Sequence, residues 1–500
     1  MLSTSQSRSF KNKFRAAFWP VHNYELGKFI PISALMFCIL FNQNILRILK
    51  DSILISEISA EIAGFAKVYC VTPVAALFVI IYAKMINHLT FEKIFYYLSA
   101  FFISCFILFA FVIYPNIHIF HVHPDTLSDW MNKYPHFKWY ISLVGNWGYI
   151  VYYSLAELWP NIFYVLLFWQ FTNELTTTEE AKRFYTLFSL FGNSSLILVG
   201  FLMMNLSSED TIIKKFVSIS DSKITLVQVS TTIVAIVAII CCLLVRFISK
   251  YIFTNPLFYA KIKKSRSTTQ RMGLIKSFKY IAKSKYLWLL LICSAAFGFA
   301  INLVEAVWKA KIKELYPTVN TYAEFNSLYI LWTGVAIIVM TIIGNNVMRM
   351  HNWFVAAVIS PVIIMVTGIL FFVLIVFDQQ ILSLFDGAIL MSPLALAVSI
   401  GGIQNILAKG TKYSIWDTSR EMLYIPLDDE LKTKGKAAVD VISAKIGKSS
   451  SGLVQSIIFT LVPNATFTSI SPILMVVFTF VCFAWIYAVR KIYFEYQKIT

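Results

Sequence analysis

The sequence predicts an all-α membrane protein of about twelve transmembrane helices, arranged as two pseudosymmetric six-helix bundles. Three observations carry that prediction. Hydrophobic residues make up 58% of the 500 positions and charged residues 14%, where an ordinary soluble domain has roughly 25% charged. Apolar windows of about 20 residues, the length that crosses the hydrocarbon core, recur along the chain. A long charged segment divides them six and six, and a partial internal repeat lies on its two sides.

The windows centre on 29–48, 67–87, 95–114, 141–171, 184–205, 225–247, 286–308, 326–347, 353–377, 386–408, 437–461 and 471–489. The fourth is the least regular, because 138–172 is long for one straight span and contains Glu157 and Pro160. One tilted helix is expected there, since two shorter pieces would spoil the even count. The mean hydropathy of +0.70 agrees with a chain that lies mostly in lipid.

Charge orders these spans. The chain carries a net charge of +17, which in a soluble protein would suggest nucleic acid. Its distribution points instead to topology. Arg8, Lys11, Lys13 and Arg15 precede the first span, a dense basic group from Arg246 to Lys285 lies between the sixth and seventh, and Arg490, Lys491 and Lys498 follow the last. The positive-inside rule puts all three on the cytoplasmic side, which an even number of spans permits. Lys309, Lys311 and Lys313 dissent, on the expected outer side. The segment boundaries are therefore a cytoplasmic N-terminus at 1–28, a first bundle at 29–247, a basic cytoplasmic linker at 248–285, a second bundle at 286–489 and a cytoplasmic tail at 490–500. The first twenty residues lack the compact apolar stretch of a secretory signal. All seven cysteines fall in or beside apolar spans without a C-x-x-C, as small hydrophobes do.

The two halves answer each other in sequence. Residues 173–182 (NELTTTEEAK), before the fifth span, align with 429–438 (DELKTKGKAA), before the eleventh. Gly192-Asn193-Ser194-Ser195 aligns with Gly447-Lys448-Ser449-Ser450 at nearly the same offset, about 255 residues. At that offset Lys50 corresponds to Glu305 and Glu157 to Lys412. Opposite charges at equivalent positions suit an interfacial site for an asymmetric, multiply charged ligand.

Charged side chains inside spans sharpen this reading, because each costs roughly 2.5–3.5 kcal/mol at the bilayer centre on insertion scales. Arg47, Lys50 and Asp51 close the first span, Glu157 interrupts the fourth, Glu305 and Lys309 lie near the end of the seventh, and Lys409 and Lys412 end the tenth. Lys445 and Lys448 follow in the eleventh. Simpler accounts exist for some of them: Arg47 and Lys50 snorkelling to the interface, or Glu305 and Lys309 pairing within one helix. Together they place more cations than anions near a central cavity, which suits a polyanion with lysines as phosphate contacts. Gly447-Lys448-Ser449 resembles the end of a phosphate-binding loop, but Ile442 stands where that motif needs glycine, which argues against an ATP-driven pump. His118, His121 and His123 lack a fourth ligand at metal-site spacing. No metal, no cofactor, no catalytic residue and no nucleic-acid partner is expected.

At these same residues the chain resembles the ATP/ADP translocase (nucleotide transporter) family of obligate intracellular bacteria and plastids. The similarity runs through LRILKD at 46–51, AELWP at 156–160, LLFWQFTNELTTTEEAKRFY at 166–185, NLVEAVWKAKIKELYP at 302–317 and the long run at 403–441. It implies a major-facilitator-like fold and a non-enzymatic antiporter in the cell inner membrane, with a monomeric functional unit. External nucleoside triphosphate, ATP or another such as GTP, would be exchanged for internal nucleotide such as the diphosphate. The family's important charged positions fall on Lys50, Glu157 and Glu305, and on either Lys434 or Lys436; the repeat adds Lys412. The chain departs from the commoner pattern at AELWP, where AELWG is usual, so the resemblance leaves the base open. A carrier of another phosphorylated organic anion is the alternative within transport. An enzyme acting on lipid-linked substrates is the alternative outside it, and charges spread over both halves fit it poorly.

Overall fold

The computed structural model describes residues 19–208, 221–252, 284–350, 352–378, 380, 391–427 and 436–499. Every regular element among them is a helix. Six long helices form the first half: α1 (Leu26–Glu57), α2 (Glu61–His88), α3 (Phe91–Ile113), α4 (Trp147–Leu175), α5 (Thr178–Ser207) and α6 (Ser222–Tyr251). Six more form the second: α7 (Lys285–Leu315), α8 (Val319–Met350), α9 (Trp353–Val376), α10 (Pro393–Thr411), α11 (Lys436–Leu461) and α12 (Phe467–Ile499). Most of the basic linker, 253–283, falls outside the described residues.

Ten of these helices are long and apolar enough to cross a membrane. The other two, α10 and α11, stand at the tenth and eleventh expected spans. Among the described residues of α11 the apolar stretch is Ser449–Leu461, and the sequence before it carries Lys436, Asp440, Lys445 and Lys448. In a multi-helix bundle such polar turns can face protein or a water-filled cavity, and they defeat a hydropathy criterion for that reason.

The fourth span differs from expectation at its start. Lys138–Gly145 is a separate short helix, and α4 begins only at Trp147, after a break at Asn146. From there the helix passes through Pro160 as one element. Proline has no N–H to donate and crowds the carbonyl four residues back; here the chain widens into a π-helical stretch over Pro160–Phe168. Similar wide turns occupy Ala66–Val71 in α2 and Lys412–Trp416 after α10. Such turns often mark functional positions, and these three begin within three residues of Glu157, Lys67 and Lys412.

Packing repeats between the halves. In the first, α1 packs on α4, α5 and α6; in the second, α7 packs on α10, α11 and α12. Each half is thus built around its first helix. The halves meet where α5 packs on α8 and α2 on α11, two contacts related by the same pseudosymmetry. Close approach there depends on glycine. A Cβ on Gly200 would come within 2.8 Å of the Leu331 nitrogen and the Ser327 carbonyl, and one on Gly334 within 2.9 Å of Leu196. Small residues let helices approach closely where lipid offers no hydrophobic drive. Phe201, Ile239, Leu243, Val366 and Phe480 point outward, as a lipid-facing surface requires.

Polar ties fix the helix ends. Thr177 accepts from the Glu180 N–H while the Glu180 carboxylate accepts from the Thr177 N–H, a reciprocal cap on α5. The same Glu180 takes Lys28 at 2.7 Å, and Arg183 takes Glu25 at 2.6 Å, joining the starts of α1 and α5.

Candidate functional site

The motif LRILKD places Arg47, Lys50 and Asp51 on one face of α1, because residues three and four apart are helix-surface neighbours. That face looks into the meeting of the halves. Lys50 donates to Asp51 at 2.8 Å and pairs with Glu157 of α4, also at 2.8 Å. Its ammonium lies 4.6 Å from the centre of the Tyr153 ring, one turn before Glu157. The second oxygen of Asp51 takes Lys309 of α7 at 2.9 Å. Lys309 pairs in turn with Glu305 at 3.3 Å, and Glu305 with Arg47 at 3.6 Å.

The result is an alternating chain of charge: Glu157, Lys50, Asp51, Lys309, Glu305, Arg47. It crosses between the halves twice, at Asp51–Lys309 and at Glu305–Arg47. Asp51 is 2% exposed, Lys50 6% and Lys309 7%. Charges so buried persist only when each faces its opposite, and the alternation supplies that.

Two further cations stand beside the chain. Lys409 of α10 donates to the Tyr329 hydroxyl and lies 4.8 Å from the centre of that ring. Lys67 of α2 lines a small cavity together with Asn302, Glu305, Lys309 and Gln455. Arg47, Lys50, Lys67, Lys309 and Lys409 give five positive charges against Asp51, Glu157 and Glu305. By formal charge the cluster therefore holds two positives in excess.

Three of the six expected site residues come together: Lys50 and Glu157 directly, and Glu305 through Lys309 and Asp51. Snorkelling does not describe Arg47 or Lys50, since both face carboxylates. The intrahelical pair of Glu305 and Lys309 exists, but Lys309 also reaches across to Asp51. Lys412 lies outside the chain; it pairs with Asp417 at 3.0 Å and sits over the Tyr413 ring at 4.1 Å. Lys434 lies outside the described residues. Lys436 opens α11, and its side chain, like those of Lys445 and Lys448, is outside what is described. Gly447 is inside helix α11 against the Ala295 carbonyl of α7, so the GKS sequence forms no phosphate-binding loop.

Sequence reasoning missed Lys67. It stood at the edge of the second apolar window, where a lysine reads as a span boundary. Only the start of α2 at Glu61 puts it two turns inside a helix.

A second set of contacts closes the face opposite the chain termini. Lys313 donates to the Ile58 carbonyl at 2.6 Å, and the Phe467 N–H to Glu61 at 3.4 Å. His136 bonds the Thr460 carbonyl at 2.8 Å, and Trp139 packs edge-on to Phe459. Each joins one half to the other.

Comparison with known proteins agrees with this architecture. The chain is 98% identical over all 500 residues to "ADP,ATP carrier protein 5" of Rickettsia prowazekii (strain Madrid E), covering the whole of both chains. It is 40% identical over 497 residues to "ADP,ATP carrier protein 4" of Rickettsia conorii, covering 99% of this chain and 97% of that one. Among solved structures, a bacterial homologue of the iron transporter ferroportin superposes with a TM-score of 0.58 at 11% identity, over 94% of this chain and 99% of that one. A D-xylose-proton symporter gives 0.55 at 11% identity, over 91% and 96%. These two share the fold, a major-facilitator-like pair of bundles. The model of the TLC ATP/ADP transporter family matches residues 4–496, and the chain belongs to that family.

Proposed function

We infer that this chain is a nucleotide antiporter, exchanging external nucleoside triphosphate (ATP or another such as GTP) for internal nucleotide such as the diphosphate, without hydrolysis. The observation that carries the reading is the charged chain across the two halves with its two excess positive charges. A nucleotide's phosphates are the complement of such a cluster, and the relatives' names specify ADP and ATP.

Transport follows from rocking of the halves about this site. Lys50 and Lys309 are held by carboxylates while the site is empty. An arriving polyphosphate competes for those ammonium groups, and Asp51, Glu157 and Glu305 are released from them. The contacts that tie α1 to α7 are thereby loosened, and the opposite face can close around the substrate. An empty carrier would have to separate Asp51 from Lys309 and Glu305 from Arg47 with nothing to replace them. That barrier couples outward to inward movement and makes exchange obligatory. Lys412, beside Tyr413 on the termini side of Lys409, offers a cation and an aromatic face to a nucleotide entering from that side; Lys434 or Lys436 supplies a further phosphate contact. The basic linker and both termini lie in the cytoplasm, with the chain in the cell inner membrane. Swapping a triphosphate for a diphosphate moves about one net charge, worth roughly 2.3 kcal/mol per 100 mV, so direction responds to membrane voltage.

Uptake of labelled nucleotide into vesicles containing the purified protein tests this. Preloading with unlabelled nucleotide should accelerate uptake, and Lys50→Ala or Glu157→Ala should abolish it. Uptake independent of preloading would refute exchange. Competition by a sugar phosphate as strong as by nucleotide would move the substrate class to other phosphorylated anions.

A further inference from the structure

Among the cations of the central cluster, Lys67 differs in its partners. Arg47, Lys50 and Lys309 each stand within 4.0 Å of a carboxylate. Lys409 donates to Tyr329. The Lys67 ammonium makes neither a hydrogen bond nor an ion pair among the described residues, although it lines the same cavity as Glu305 and Lys309. It lies within Coulombic reach of Glu157, Glu305, Lys50 and Lys309.

The cavity has the other features of an oxyanion site. It is walled by both halves: Lys67 comes from α2, Glu305 and Lys309 from α7, and Gln455 from α11. Backbone approaches it closely at Gly64 and Gly452, where a Cβ on Gly452 would lie 3.3 Å from the Gly64 carbonyl. The wide turn over Ala66–Val71 shifts the helical register at Lys67 itself. A lysine here is costly unless something anionic visits it. The resident carboxylates are already committed to other cations.

We propose that Lys67 is a phosphate-binding residue of the transported nucleotide, and that it favours nucleotides with the longer phosphate chain. This rests on the nucleotide reading above. Lys50 must be taken from Asp51 and Glu157 before it can hold phosphate, whereas Lys67 gives up no carboxylate. It therefore provides the first full charge-assisted contact to an arriving polyphosphate. Because the cavity wall includes α7 and α11, a phosphate on Lys67 also bridges the halves.

The test is equilibrium binding of labelled nucleoside tri-, di- and monophosphates to the purified full chain in nanodiscs. Lys67→Gln should weaken triphosphate binding by roughly 10- to 100-fold, as loss of a hydrogen bond to a charged group does. The loss should shrink from tri- to monophosphate, and Lys67→Arg should restore most of it. A second variant, Ala63→Glu, places a carboxylate four residues before Lys67 on the same cavity wall and should reproduce the loss with the lysine present. Unchanged triphosphate affinity in Lys67→Gln, or in Ala63→Glu if the first variant does not fold, overturns the proposal. An equal loss for all three nucleotides overturns the chain-length preference. If the unaltered protein binds none of them, the nucleotide reading itself has failed, an outcome distinct from both.

Discussion

Asp51→Asn removes one of the two carboxylates that pair across the halves, the other being Glu305. Asp51 accepts from Lys50 at 2.8 Å within α1 and from Lys309 at 2.9 Å across to α7, at 2% exposure. Breaking a buried pair from one side costs about 3–5 kcal/mol, because a charge is left uncompensated. Here each ammonium keeps a second carboxylate, Lys50 with Glu157 and Lys309 with Glu305. The low end, about 3 kcal/mol, is therefore expected. The cross-half contact exists only while α1 and α7 are together, so most of that cost falls on the conformation closed at the face opposite the termini. A shift of roughly 100-fold toward the other conformation follows, since each 1.4 kcal/mol is a factor of ten. An impermeant thiol reagent reads it, acting on a cysteine placed at Ile58 in a background without the native cysteines. Labelling should accelerate in Asp51→Asn and return toward the parent rate in Asp51→Glu. Equal labelling rates in all three proteins would refute the assignment of Asp51 as a tie between halves.

Two other substitutions examine the frame around the site. Gly200→Ala puts a methyl group within 2.8 Å of backbone atoms on α8, so the α5–α8 contact must part; about 1–3 kcal/mol of destabilisation is expected, read as a lowered melting temperature in micelles. Lys313→Met removes the bond to the Ile58 carbonyl at the closed face. A loss of about 1.5–3 kcal/mol from that conformation should raise Ile58→Cys labelling while nucleotide affinity stays near the parent value.

Composition and periodicity made the membrane architecture legible, because the bilayer tolerates few alternatives to long apolar helices. The basic clusters divided the chain into halves, and the repeat at an offset of about 255 residues anticipated that α1 and α7 play equivalent parts. The same physics picked out Lys50, Glu157 and Glu305, since a charge inside an apolar window is conspicuous in one dimension. Partners are a different matter. Lys50 meets a carboxylate 107 positions away in Glu157, and Asp51 meets Lys309 on the far side of the linker. Which of several equally conspicuous charges pair is set by how α1, α4 and α7 rotate against one another, and no sequence interval encodes that rotation. It also decides who is left over: Lys412, marked by the repeat, turns to Asp417, while Lys67, which looked like a span boundary, stands unpaired among the described residues at the cavity between α2, α7 and α11.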